Sequence, residues 1–131
     1  MSADFENLEV WKRSCRLCIN LYSALKSCKD LGLYSQITRS AVSIPSNIAE
    51  GAERKTVKEF ANFLYIAKGS SAELRTQLYL AGELTYISRT ECKKMVLESK
   101  EITKMLQGLI NSLDSQTKKL ITDCWLLITA P

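Results

Sequence analysis

The sequence contains no histidine. That absence removes serine-type triads, cysteine–histidine dyads, carboxylate–histidine metal sites and imidazole acid–base work near neutral pH. Glycine and proline are scarce, with 5 and 2 copies, which argues against a loop-rich β architecture and against disorder. No apolar run approaches the ~18 residues needed to span a bilayer, so no membrane partner is expected. The start, Met1-Ser2-Ala3-Asp4-Phe5-Glu6, is acidic and lacks the apolar stretch of a signal peptide. The 5 cysteines are odd in number and lack the spacing of a secreted framework, which fits a reducing cytoplasm. At 131 residues one folded core is expected, large enough to bury about two-thirds of the unfolded surface without a staple.

What is present is charge of both signs and helical periodicity. The 18 Lys+Arg against 14 Asp+Glu give +4 and a pI near 8.8, below the value of about 9 that usually marks a nucleic-acid binder. Leu8, Trp11, Cys15, Cys18, Tyr22 and Leu25 repeat in steps of three and four, which predicts a helix over about residues 5–28. Asp30 is a plausible N-cap for a second helix, whose apolar row is Leu33, Ile37, Ala41, Ile44 and Ile48. Pro45 inside that row should kink or locally break it, and Gly51 reads as its terminator, with residues 51–55 as the loop. Thr56-x-x-Glu59 is a capping box opening a third helix that carries Phe60, Leu64, Ala67, Ser71, Leu74, Leu78 and Ala81 toward Ile87. A second box, Ser88-x-x-Glu91, opens a fourth with Met95, Ser99, Ile102, Leu106, Leu109 and Leu113. Four amphipathic helices joined by short loops predict an all-α, antiparallel up-down-up-down four-helix bundle with a kinked second helix. The bundle domain is read as 1–114. The tail 115–131 is a short extra helix docked on the bundle, or an exposed apolar segment for a neighbouring subunit.

Few residues invite chemistry. Cys15-x-x-Cys18 lies in mid-helix, away from the helix N-terminus that lowers a thiol pKa, and no second pair completes a zinc site. Core packing is the reading for both thiols. A di-iron site in such a bundle needs Glu-x-x-His motifs, which the chain cannot supply. No catalytic residue, metal ligand or cofactor is therefore expected. Ser43, Asn47 and Glu50 share one face of the second helix, and Ser70 and Glu73 interrupt the third. Together they read as a structural polar network between helices. Gly69, just before them, would permit close helix approach. The basic residues Lys12, Arg13, Arg16, Arg39, Arg54, Lys55 and Lys58 are the candidates for phosphate contacts, which give affinity and salt dependence with little sequence information.

Three stretches carry a family resemblance. They are Phe5-x-x-Leu8-x-Val10-Trp11, Gly32-Leu33-x-x-Gln36-Ile37-x-Arg39 running on through Ser43-Ile44-Pro45-Ser46-Asn47-Ile48-Ala49-Glu50-Gly51, and Ile66-Ala67-Lys68-Gly69-Ser70-Ser71-x-Glu73. They resemble the bacterial four-helix bundle family encoded in intervening sequences of 23S ribosomal RNA genes, related to the accessory variability determinant of diversity-generating retroelements. The resemblance spans about residues 5–113. It implies a non-enzymatic homo-oligomer, a ring-like pentamer, with RNA or DNA as a possible partner and a protein such as a reverse transcriptase as another. The alternative is a protein-interaction scaffold with no nucleic-acid role.

Overall fold

A computed structural model describes residues 4–129. Residues 1–3 of the acidic start and 130–131 of the tail lie outside the described residues. The fold is an all-α bundle of four helices, with no strand among the described residues. The helices are α1 (Glu9–Ala24), α2 (Leu31–Ala52), α3 (Val57–Glu83) and α4 (Arg89–Thr129), preceded by a 3-10 turn at Phe5–Asn7.

Local chemistry starts each element. Asp4 accepts the Glu6 N–H and closes the 3-10 turn. This separate turn replaces the expected continuous helix from residue 5, because Leu8 is extended and α1 begins after it. Asp30 caps α2 by accepting from Leu33 N at 3.0 Å. Thr56 caps α3 by accepting from Glu59 N at 3.1 Å, and its own hydroxyl donates to Glu59 Oε1. Ser88 accepts from Glu91 N at 3.1 Å at the head of α4. Each cap supplies an acceptor to an amide that has no partner inside its helix.

The core is one cluster drawn from all four helices. Leu21, Ile37, Ile48, Leu64, Leu74, Leu78, Ile102, Leu106 and Ile110 are each fully buried. In α1 the buried row is Val10, Ser14, Leu17, Cys18, Leu21 and Leu25, not the predicted row through Trp11, Cys15 and Tyr22. Two adjacent rows of α1 are apolar. The aliphatic one takes the centre while Tyr22 keeps its phenol outside, edge-on to Tyr34. In α4 the buried residue near the end of the row is Ile110, with Leu109 half-buried.

The glycines differ from expectation. Gly51 is inside α2, which continues to Ala52 and is capped at Glu53. A methyl group on Gly51 would lie 2.6 Å from Phe63 Cβ and 3.2 Å from the Phe60 carbonyl oxygen, so its bareness lets α2 approach α3. Gly69, read as the close-approach residue, has nothing of this chain within 4 Å of such a methyl. At the end of α3, Thr85 takes the left-handed backbone conformation usually left to glycine, at φ 64. Tyr86 N then bonds Ala81 O at 2.9 Å and Thr85 N bonds Gly82 O at 3.1 Å, so α3 stops at Glu83 and not near Ile87.

Pro45 is buried and does not interrupt α2, which is helical on both sides of it. Proline supplies no N–H to the Ala41 carbonyl one turn earlier. That oxygen accepts instead from Cys18 Sγ on α1 at 3.0 Å.

Along α3 the partners on α4 rise as the α3 numbers fall. Cys92 Sγ donates to Leu78 O, Ser71 Oγ to Ser99 O, and Lys68 Nζ to Gln107 Oε1. Because α3 begins at Val57, α4 outruns it soon after Leu113, its last buried residue. The tail is thus the uninterrupted end of α4, exposed at every residue from 114 to 129, and is not docked on the bundle.

Candidate nucleic-acid interface

The seven basic candidates occupy three places. Lys12, Arg13 and Arg16 sit on α1; Arg39 is midway along α2; Arg54, Lys55 and Lys58 surround the connection from α2 to α3. Lys12 and Arg16 are exposed, as are Arg39, Lys55 and Lys58, and none of these five makes an ion pair among the described residues. Such side chains can reach phosphates without breaking an ion pair; Arg39 gives up only a 3.5 Å hydrogen bond from Nη2 to Ser35 Oγ one turn earlier.

Two of the seven are engaged. Arg13 is half-buried and makes a two-point contact with Glu98 of α4, Nε to Oε2 at 3.1 Å and Nη2 to Oε1. The hydrogen bond to Glu98 raises its pKa above the usual guanidinium value. Fork-to-carboxylate geometry at reduced exposure makes this a clamp between α1 and α4. Arg54 Nη2 lies 3.0 Å from Glu50 Oε1, one turn earlier, and its guanidinium carbon is 4.9 Å from the centre of the Phe63 ring. Both charges are exposed, so that pair adds little stability. Glu50 is thereby turned to Arg54.

The polar residues between α2 and α3 form a compact set. Ser43 Oγ and Ser70 Oγ are 2.8 Å apart, and Asn47 Nδ2 donates to Ser43 O at 2.7 Å and to Ser43 Oγ at 2.9 Å. Glu73 is exposed and lines a groove with Gln36, Arg39, Ser40 and Gln77. Buried in that groove, Gln77 Oε1 has no hydrogen-bond partner.

A second polar set, between α3 and α4, was not anticipated. Arg75 donates from Nε to Ser99 Oγ at 3.1 Å and from Nη2 to Thr103 Oγ1 at 2.8 Å. Thr103 in turn donates to Ser71 Oγ at 3.0 Å. The available signal was the placement of Ser71 and Ser99 at core positions of their rows, where a serine needs a partner.

Cys15, Cys18 and Cys92 carry no reactive signature. Burial pushes Cys18 up to about 11, and burial also raises Cys15 and Cys92. A thiol held protonated is neither a nucleophile nor a metal ligand. No group of three or more metal-ligating side chains occurs among the described residues.

These features define a small four-helix bundle protein with exposed cations and internally satisfied polar sets. The family model of the 23S rRNA-intervening sequence protein matches residues 6–108, and the chain belongs to that family of non-catalytic accessory proteins. It is also similar to a crystal structure from Bacteroides thetaiotaomicron, described as a protein of unknown function from the S23 ribosomal protein family. Identity is 31%, the TM-score 0.71, and the match covers 77% of this chain and 97% of that one. No curated protein matches the chain. No helix of the described residues is long and apolar enough to cross a membrane.

Proposed function

We propose that the protein is a cytoplasmic bacterial accessory factor that binds RNA through phosphate contacts, as a homo-oligomer of antiparallel up-down-up-down bundles. The observation that carries this reading is the set Lys12, Arg16, Arg39, Lys55 and Lys58, exposed and unpaired among the described residues, on a chain that belongs to a 23S rRNA-intervening sequence family. Arg13 and Arg54 join them only by giving up a carboxylate. The alternating helix directions are supported by contacts whose numbers run in opposite senses, Cys18–Ala41 with Tyr22–Tyr34 for α1 and α2, Ser43–Ser70 with Gly51–Phe63 for α2 and α3, and Leu78–Cys92 with Ser71–Ser99 for α3 and α4, and a bend in α2 at Pro45 accommodates the missing amide. The bundle domain ends near residue 114 and the tail, 115–131, is separate from it. Ser43, Asn47 and Ser70, flanked by Glu50 and Glu73, hold α2 to α3 and do no chemistry.

Homo-oligomerisation, with a pentamer as the expected ring, is supported by the outer face of α3. Tyr65, Ile66, Tyr79 and Leu80 are about half exposed on it, and Gly69 lies between them with open space beside it. A ring would add the charge of its subunits on shared surfaces and strengthen attraction for a polyanion. The same face favours the second reading, a scaffold for a protein partner such as a reverse transcriptase, with DNA or RNA playing no part. The test is binding of a structured RNA to the full chain across a salt series. Neutralising about five phosphates predicts a loss of roughly 10²- to 10³-fold between 50 and 200 mM salt. Salt-independent binding, or none at micromolar protein, overturns the RNA reading and leaves the scaffold.

A further inference from the structure

The groove between the end of α3 and the start of α4 differs from its neighbours in the sign of its charge. It holds about 490 Å³, inside the range of small-ligand sites. Arg89, Lys93 and Lys100 line it against a single carboxylate, Glu83. The groove between α1 and α4 sets Arg16 and Lys94 against Glu91 and Glu98, and that between α2 and α3 sets Arg39 against Glu73. At about 100° and 1.5 Å per residue, the three cations fall within about 40° of one another on α4 and spread over roughly 16 Å. All three are exposed, and none makes an ion pair among the described residues.

The floor of the groove is closed and apolar. Val96 is buried in it, and Cys92 Sγ already donates to Leu78 O at 3.3 Å. A methyl group on Gly82 would lie 2.8 Å from that sulfur, so the bare glycine keeps the two helices close beneath the groove. Above the floor Tyr79 and Leu97 are 50% and 53% exposed. An aromatic ring and an apolar side chain beside a row of cations suit a flat apolar ligand that carries negative charge. An unpaired nucleotide is such a ligand, because its base offers a π face for stacking while its phosphates meet the cations. A duplex hides those faces inside its own stack.

We propose that this groove seats an unpaired stretch of RNA, with a base stacked on Tyr79 and the adjacent phosphates on Arg89, Lys93 and Lys100. The inference rests on the RNA reading above for its class of partner, but none of the seven cations named there lines this groove. It adds a preference that phosphate contacts alone do not give, for single strands over duplexes.

The test titrates the full chain against a short labelled oligouridylate, which is unstructured, by fluorescence anisotropy. Tyr79→Ala should weaken binding about 5- to 100-fold, as the loss of one stacked base does, and Tyr79→Phe should keep it. Lys93→Gln with Lys100→Gln should weaken it and flatten the salt slope by about 1.4, at about 0.7 per phosphate of a single strand. Equal affinity of Tyr79→Ala and the unaltered protein overturns the proposal and leaves a site for phosphate alone. So does a blunt duplex bound as tightly as the single strand. Polyglutamate that displaces the probe as well as unlabelled oligouridylate does also overturns it, and assigns the groove to an acidic peptide. Because Tyr79 lies on the outer face of α3 as well, the contact is also located in the unaltered protein with a 4-thiouridine oligonucleotide. Photo-adducts on Tyr79 or Leu97 support the proposal, and adducts confined to α1 and α2 overturn it. Binding of structured RNA without binding of oligouridylate defeats the groove alone, whereas binding of neither defeats the RNA reading as well.

Discussion

Replacing Gly51 by alanine adds one methyl group between α2 and α3, and two opposing effects decide the sign of its outcome. In a helix interior alanine is favoured over glycine by about 1 kcal/mol, because glycine surrenders more backbone freedom on folding. Against this, the new carbon would sit 2.6 Å from Phe63 Cβ, 3.1 Å from Phe60 Cδ1 and 3.2 Å from Phe60 O. A Cβ and a carbonyl oxygen cannot swing aside as a side-chain tip can, so the two helices must part. Overpacking of this kind costs about 1–3 kcal/mol, and contact with backbone-fixed atoms puts it in the upper half of that range. The net expectation is a loss of about 1–2 kcal/mol. For a chain of this size that lowers Tm by roughly 3–8 °C. Gly108→Ala is the internal control. It lies well inside α4, whereas Gly51 is in the last turn of α2, and nothing lies within 4 Å of its added carbon, so only the propensity gain of about 0.5–1 kcal/mol remains. Thermal unfolding by circular dichroism at one fixed protein concentration measures both. An unchanged or raised Tm for Gly51→Ala refutes the close-approach role and restores a purely conformational one.

Two further perturbations test single features. Cys18→Ala adds no volume and leaves the Ala41 carbonyl without its donor, and should lower stability by about 1–2 kcal/mol. In a Pro45→Ala background, where an amide is again available to that carbonyl, the same change should cost measurably less, and equal costs in both backgrounds would break the link. Thr85→Gly should raise stability by about 1 kcal/mol, because it removes a β-branched side chain from a left-handed position. Urea denaturation checks it, and a loss would mean that the Thr85 side chain contributes more than its strain.

Features governed by near neighbours were legible in the sequence, and those governed by distant ones were not. Asp30, Thr56 and Ser88 cap the helices they were read to cap, because a cap needs only an amide two or three residues on. The rows of α2 and α3 were legible because Leu33 to Ile48 and Phe60 to Ala81 each keep helical steps along their whole length. In α1 two neighbouring rows compete, and only packing against α2 and α4 chooses between them. Glycine misled for a related reason. It marks helix ends and close approaches alike, so Gly51 was read as a stop when its neighbour is Phe63, and Gly69 as a contact when none exists within the chain. The actual stop of α3, at Thr85, has no glycine to announce it. Arg75 went unplaced because Ser99 and Thr103 lie 24 and 28 residues away.

The same division governs the electrostatics. Formal charge counts every cation equally, but a cation held by a carboxylate within the fold adds less to the field that a phosphate feels. With Arg13 clamped by Glu98 and Arg54 facing Glu50, five of the seven candidates remain to displace counterions. At about 0.7 to 0.9 per neutralised phosphate, from single strands to duplexes, the logarithm of RNA affinity should fall with that of salt at a slope of about −3.5 to −4.5 per chain, where seven free cations would give about −4.9 to −6.3. Removing the carboxylate by Glu98→Gln frees Arg13 and should steepen the slope by nearly one. The bundle meanwhile loses the clamp between α1 and α4. A gain in salt dependence accompanied by a loss in stability would identify Arg13 as a cation shared between folding and binding. A slope that does not move would confine it to the fold.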